Sequence, residues 1–154
     1  NLKNSHVLPA LIRKLYEAKL NNKKSVICWG TGTPLREFLH VDDLGDACIF
    51  ALENWDPDKI NSPMGCNGQK LSFLNIGTGK DISIKDLTEI ISNTIGYKGQ
   101  VIWDNTLPDG TPRKLLDVRK ISSLGWFPKI DLETGISKTI EDFTFKIQNK
   151  ELRD

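Results

Sequence analysis

No two of the three cysteines, Cys28, Cys48 and Cys66, stand close enough in sequence to make a CxxC pair, and no Cys/His cluster accompanies them. Their number is odd and their spacings are 20 and 18 residues, so neither a disulfide framework nor a metal site is indicated. A reducing, cytoplasmic setting is the default expectation. Charge of one sign is equally scarce. Twenty-one basic against twenty acidic residues leave a net +1, which argues against bulk electrostatic binding of nucleic acid or of an anionic membrane. Any anion must be held at a local site. The longest apolar runs fall far short of a membrane span.

What remains is one ordinary domain's worth of sequence, able to bury a respectable core. It begins at Asn1 with a polar "NLKNSH" and reads as a piece of something longer. Helical and strand patterns alternate along it, which predicts the α/β class. Leu11, Leu15 and Ala18 fall at i, i+4 and i+7 of a helix from Val7 to Leu20, with Pro9 in its first turn and Asn21–Asn22 ending it. "SVICW" and "EFLHV" are short β-prone runs separated by a Gly-rich corner. Asp42 or Asp43 is the expected N-cap of a helix through Asn54 with Leu44, Cys48, Ala51 and Leu52 as its apolar stripe. A turn-rich loop over 54–70 follows, then "LSFLNIG", a strand-length apolar run. Ser83 and Asp86 form a capping box ahead of a helix carrying Leu87, Ile90, Ile91 and Ile95. "QVIW" is another strand. Asp117 caps a short helix ending at Gly125, and Ile136, Ile140, Phe143 and Ile147 stripe a last one.

Two stretches have the look of phosphate loops. "GTGTPL" supplies two of the three glycines of a dinucleotide fingerprint, but Pro34 and the β-prone "REFLHV" follow where a helix is needed. "NIGTGKDIS" lacks the spacing of a phosphate loop, and Asp81 after Lys80 would repel one. Both are expected to be turns. His40 lies beside a helix start, where packing or a hydrogen bond accounts for it. His6 stands at the mouth of the first helix, where an imidazole could reach a ligand. For Trp29, at a Gly turn, a core role is the base expectation and a stacking platform the exception.

The combination is more specific. "NSHVLPALIRKLYEA", "VICWGTGTPLREFLHVDDLGDACIFAL", "FLNIGTGKDISIKDLTEIISNTIGYKG" and "PDGTPRKLLDVRKISSLGW" closely resemble the GDP-L-fucose synthase family of the extended short-chain dehydrogenase/reductase superfamily. "REFLHVDDL" and "NIGTG" occur widely among nucleotide-sugar enzymes, whereas "NSHVLPALIRK" and "PDGTPRKLLD" are closer to that family's own. The resemblance runs from about Asn4 to Phe143 and covers the C-terminal half of such an enzyme.

The resemblance implies a C-terminal substrate-binding portion over 1–154 without the N-terminal Rossmann core, in which 72–77 would be a strand joining the missing sheet. It implies His6 as the acid in epimerisation, close to the cofactor, a role that suits an imidazole returning a proton beside a ketone. Lys14, Trp29, Arg36 and Asp109 match substrate-binding positions for a GDP-sugar. Lys14 taken alone reads as a solvated helix face with Arg13 and Lys19. The family's usual epimerisation base is a cysteine in the other half, and none of the three here matches its motif. Gln100 stands where some members have Arg. NADPH is the implied cofactor and a homodimer the implied assembly. The chain has no GxxGxxG loop, TyrxxxLys pair or catalytic Ser motif, so the expectation is that it neither reduces substrate nor holds NADPH by itself. Other nucleotide-sugar epimerases or dehydratases, and a non-catalytic nucleotide-sugar or partner-binding domain, are the alternative readings.

Overall fold

The computed structural model describes residues 5–151. The order of elements is α1 (Val7–Leu20), β1 (Ser25–Trp29), β2 (Leu35–Glu37), α2 (Val41–Asn54), β3 (Asp81–Ser83), α3 (Ile84–Ile95), β4 (Gln100–Asp104), β5 (Arg113–Lys114), α4 (Arg119–Ser123) and α5 (Leu132–Gln148). The expected α/β class is met. The described residues divide into two compact units, one of 5–35, 82–113 and 133–151, the other of 36–81 and 114–132.

In the first unit, β1 and β4 form a parallel pair in register from Ser25 opposite Gln100 to Trp29 opposite Asp104. β1 alternates strictly, with Val26 and Cys28 buried and Ser25, Ile27 and Trp29 exposed. Parallel strands need a long crossover, and the chain supplies one that includes α3, which packs with β1 against α1. The predicted faces are the buried ones: Leu11, Leu15 and Ala18 of α1, Leu87, Ile91 and Ile95 of α3, and Ile136 and Ile140 of α5. Tyr16 meets Phe143 edge to face, with ring centroids 5.5 Å apart. The helix ends follow their residues too. Asn22 takes the left-handed conformation after α1, at φ 49°. Ser83 Oγ accepts the Asp86 N–H at 3.0 Å and meets its carboxylate at 2.6 Å, the expected capping pair.

In the second unit, Ala47, Ile121 and Trp126 form the centre, with Leu39, Phe50, Leu74, Ile76 and Val118 packed on it. Here three expectations need correction. α2 buries Asp43 and Ala47, not the Leu44–Cys48–Leu52 row, because the row at i, i+4 and i+7 from Asp43 faces Trp126; Leu52 is 86% exposed. The cap of α2 is His40, whose Nδ1 accepts the Asp42 N–H at 3.2 Å. Asp43 instead points inward and accepts the N–H groups of Lys129 (3.2 Å to each oxygen) and Ile130 (2.9 Å). The cap position of α4 is likewise Val118 and not the expected Asp117, which stands one residue earlier and accepts the Arg119 N–H at 3.1 Å.

The run expected as a second strand, "EFLHV", is strand only up to Glu37. It makes no hairpin with β1, because β1 pairs with β4 and the other short strands form a sheet of order β3-β2-β5. Residues 72–77 have no ladder partner among the described residues. Leu74 and Ile76 pack on the Trp126 cluster and Phe73 is left exposed. Among the described residues no helix is long and apolar enough to cross a membrane.

Removing the buried Asp43 carboxylate takes away the acceptor of the part-buried N–H groups of residues 129 and 130. Asp43→Ala is expected to cost about 2 kcal/mol in a denaturant titration, whereas Asp42→Ala, at an exposed position, changes the midpoint little.

Candidate functional site

Within the first unit, α1 and the β1–β4 pair enclose a groove of about 700 Å³. Its wall carries Arg13 and Lys14 from α1, Cys28 and Trp29 from β1, and Trp103 from β4. Apolar surface with a few cations at one side is the usual make-up of a small-molecule site. Lys14 Nζ donates to the carbonyl of Ile27 at 2.9 Å, which carries the ammonium across to β1 and still leaves it two N–H donors. Arg13 is turned toward Glu17 (2.8 Å) one helical turn on. Burial pushes the Cys28 thiol above its ordinary value, with the Lys14 charge working against it. It is therefore a neutral lining group rather than a base.

Trp29 ends β1 with 71% of its surface exposed, so the core reading of this residue does not hold. The corner after it is strapped at several points. The Gly30 N–H donates to the Asp104 carbonyl at 3.0 Å, and the Gly32 and Pro34 carbonyls accept from Lys85 (2.8 Å) and Ile84 (3.0 Å). Both glycines are required. Gly30 and Gly32 have φ of 74° and 75°, and a Cβ on Gly32 would reach within 2.8 Å of the Trp103 ring. Asp109 closes the corner, its two oxygens accepting the Thr31 N–H at 2.9 Å and the Thr31 hydroxyl at 2.7 Å. Those bonds hold its carboxyl below the ordinary range.

His6 occupies the position before α1 with extended backbone, and its side chain makes no capping bond. It is exposed, and its neighbours Ser5 and Val7 line the groove. Lys14, Trp29 and Asp109 thus fall in one unit with His6. Arg36 falls in the other, on β2. Gln100 opens β4 with an exposed side chain and takes no part in the groove lining. Trp103 and Glu37 were not anticipated. The Glu37 carboxylate accepts from Gly79 N–H at 2.6 Å, Leu116 N–H at 2.9 Å and the Thr78 hydroxyl at 3.3 Å.

Neither glycine turn is therefore free for a dinucleotide phosphate. The amide donors at Thr31 and Gly79 already hold carboxylates of this chain, which would repel a pyrophosphate. The residues present do not fit that part of a nicotinamide dinucleotide. Among the described residues no group of three His, Cys, Asp or Glu side chains is placed to hold a metal ion.

Residues 1–62 match the model of the NAD dependent epimerase/dehydratase family. GDP-L-fucose synthase 1 of Arabidopsis thaliana is 46% identical over 147 residues, 96% of this chain and 42% of that protein. GDP-L-fucose synthase of Escherichia coli (strain K12) is 46% identical over 142 residues, 91% of this chain and 42% of that protein. This chain is a homologue of the GDP-L-fucose synthases. It spans about two fifths of the length of these relatives. Among solved structures, the Campylobacter jejuni GDP-mannoheptose C4 reductase with NADP bound superposes with a TM-score of 0.76 at 34% identity, over 94% of this chain and 48% of that one. The fold is therefore that of a portion of this dehydrogenase-like architecture.

A carboxyl lowered in the folded chain stabilises above its unfolded value and loses that contribution as pH falls through the folded one. The Trp29 corner is thus expected to loosen in acid, once pH falls below the ordinary Asp value of 3.8 and through the lowered value of Asp109. An NMR titration checks this: Thr31→Val should move the Asp109 carboxyl back up and bring the Trp29 transition to higher pH.

Proposed function

We propose that this chain is the GDP-sugar-binding portion of an enzyme that converts GDP-4-keto-6-deoxy-D-mannose to GDP-L-fucose by 3,5-epimerisation and NADPH-dependent 4-reduction. The observation that carries the reading is the groove in which Lys14 and Trp29 stand on facing elements, in a chain homologous to enzymes of that name. Lys14 offers a point charge to a diphosphate and Trp29 a flat face to sugar or base. Arg36 is assigned to the diphosphate on the resemblance, as a charge-assisted donor. Asp109, whose carboxylate accepts from Thr31 at the corner, is assigned on the resemblance as a further substrate-binding residue.

His6 is the proposed acid. Inverting a carbon beside a ketone takes a base on one face and an acid on the other, and a side chain not engaged in capping is available to return the proton. NADPH, the epimerisation base and the homodimer contacts are assigned to sequence beyond this chain, as is the sheet that residues 72–77 would join. The setting proposed is cytoplasmic, with no nucleic acid or membrane partner, and the chain alone is inactive.

Calorimetry with GDP, UDP and dTDP separates this from a different nucleotide-sugar enzyme; GDP should bind best. Lys14→Ala is expected to weaken GDP about tenfold and Trp29→Ala about fivefold. With the amino-terminal half of the E. coli relative joined to it, the chain should turn over GDP-4-keto-6-deoxy-mannose. His6→Asn should then slow epimerisation about 100-fold or more with GDP affinity nearly unchanged. A joined protein that stays fully active with His6→Asn would remove His6 from the chemistry, as a purely binding domain requires.

A further inference from the structure

α1 presents one row of residues to the groove of the first unit, Val7, Ala10, Lys14 and Glu17, at the i, i+3, i+7 and i+10 spacing of a single helix face. The lining reaches Ser5 at one end and continues through Ala18 to Lys23 at the other. Position along the helix therefore measures position along the groove. At roughly 1.5 Å of rise per residue, Lys14 stands about 10 Å beyond Val7, and Glu17 about 4.5 Å beyond Lys14. A nucleotide sugar is strung out in the order sugar, diphosphate, ribose, base. With the sugar at His6 and the diphosphate at Lys14, the base falls past Lys14, at the Glu17 end.

Glu17 is the only acidic residue among the described residues that line the groove. A carboxylate close to a diphosphate works against it unless the carboxylate meets donors of its own. Arg13 Nε supplies one, at 2.8 Å from Oε1, while Oε2 takes no hydrogen bond from a described residue. An i,i+4 ion pair on the helix surface thus accounts for one oxygen and leaves the other. Each carboxylate oxygen has two acceptor sites, so the Arg13 bond fixes the group without filling it. Guanine offers two parallel donors, N1–H and the 2-amino group, that match a carboxylate. Adenine has an acceptor nitrogen in place of N1–H, and uracil and thymine have one N–H between two carbonyl oxygens, so those edges set negative charge against it.

We infer that Glu17 is the specificity-determining residue of the groove, its carboxylate accepting from N1–H and the 2-amino group of guanine. This rests on the GDP-sugar reading and on the places that it gives His6 and Lys14 along α1.

The test is calorimetry on the 154-residue chain with GDP and inosine diphosphate, which differs from GDP only in lacking the 2-amino group. The unsubstituted chain is expected to prefer GDP about tenfold. Glu17→Gln keeps the size of the side chain but exchanges one acceptor for a donor, and Glu17→Ala removes both acceptors while keeping a good helix former. Each is expected to cut that preference to about twofold by weakening GDP more than inosine diphosphate. Lys14→Ala should weaken the two nucleotides alike and keep the preference, because it acts on the diphosphate that they share. An unchanged preference in both Glu17 variants, equal loss for the two nucleotides, or GDP binding with no preference in the unsubstituted chain overturns the inference alone. So does unfolding of both Glu17 variants, which makes the Arg13–Glu17 pair structural only. An unsubstituted chain that binds no GDP, or binds UDP or dTDP better, overturns the functional reading and this inference with it.

Discussion

The groove depends on one pairing, the parallel register of β1 on β4. It sets Cys28 opposite Trp103 and Trp29 opposite Asp104, and it hands the chain directly into the Gly30–Asp104 bond that starts the corner. A slip of one residue would turn Trp29 toward the helices and Cys28 into solvent. Register is held because Val26 and Cys28 must meet the buried faces of the first unit while Ile27 and Trp29 cannot. Lys14 follows from the same constraint, since its Nζ reaches the Ile27 carbonyl, a group on β1 whose place the ladder decides.

Carboxylates govern the loops in the way the ladder governs the strands. Asp109, Glu37 and Asp43 each collect backbone or hydroxyl donors from stretches far away in sequence: Thr31, Thr78 with Gly79 and Leu116, and Lys129 with Ile130. Strands of two to five residues leave many peptide groups outside any ladder, and an ionised acceptor is an effective way to satisfy them. The same arrangement explains two glycine turns that resemble anion sites and yet are closed to an external anion. Their donors point inward, toward negative charge that the chain itself provides.

Much of the first unit was legible in the residues. The α1 and α3 stripes, the Ser83–Asp86 box, the Asn end of α1 and the limits of β1 all depend on local periodicity or on one residue's backbone preference. The second unit was less legible. α2 carries apolar residues on more than one face, so its period does not say which face meets Trp126, and Leu44, Cys48 and Leu52 remain outside. Asp43 looked like a cap because an acidic residue at a helix start has that base preference; burial against residues 129–130 is non-local and leaves no mark beside it. Glu37 and Trp103 were missed for the same reason.

Sequence by itself determined the α/β alternation, the boundaries of α1 and the start of α3, the rejection of the glycine turns as dinucleotide loops and, through its motifs, the kinship with GDP-L-fucose synthases. Periodicity, capping chemistry and motif content are all written in residues a few positions apart. Only the tertiary structure decided that β1 pairs with β4 instead of β2, that Trp29 is exposed, and which carboxylate closes which turn. Those outcomes depend on contacts between residues tens of positions apart, where many pairings satisfy local preference equally and packing selects one.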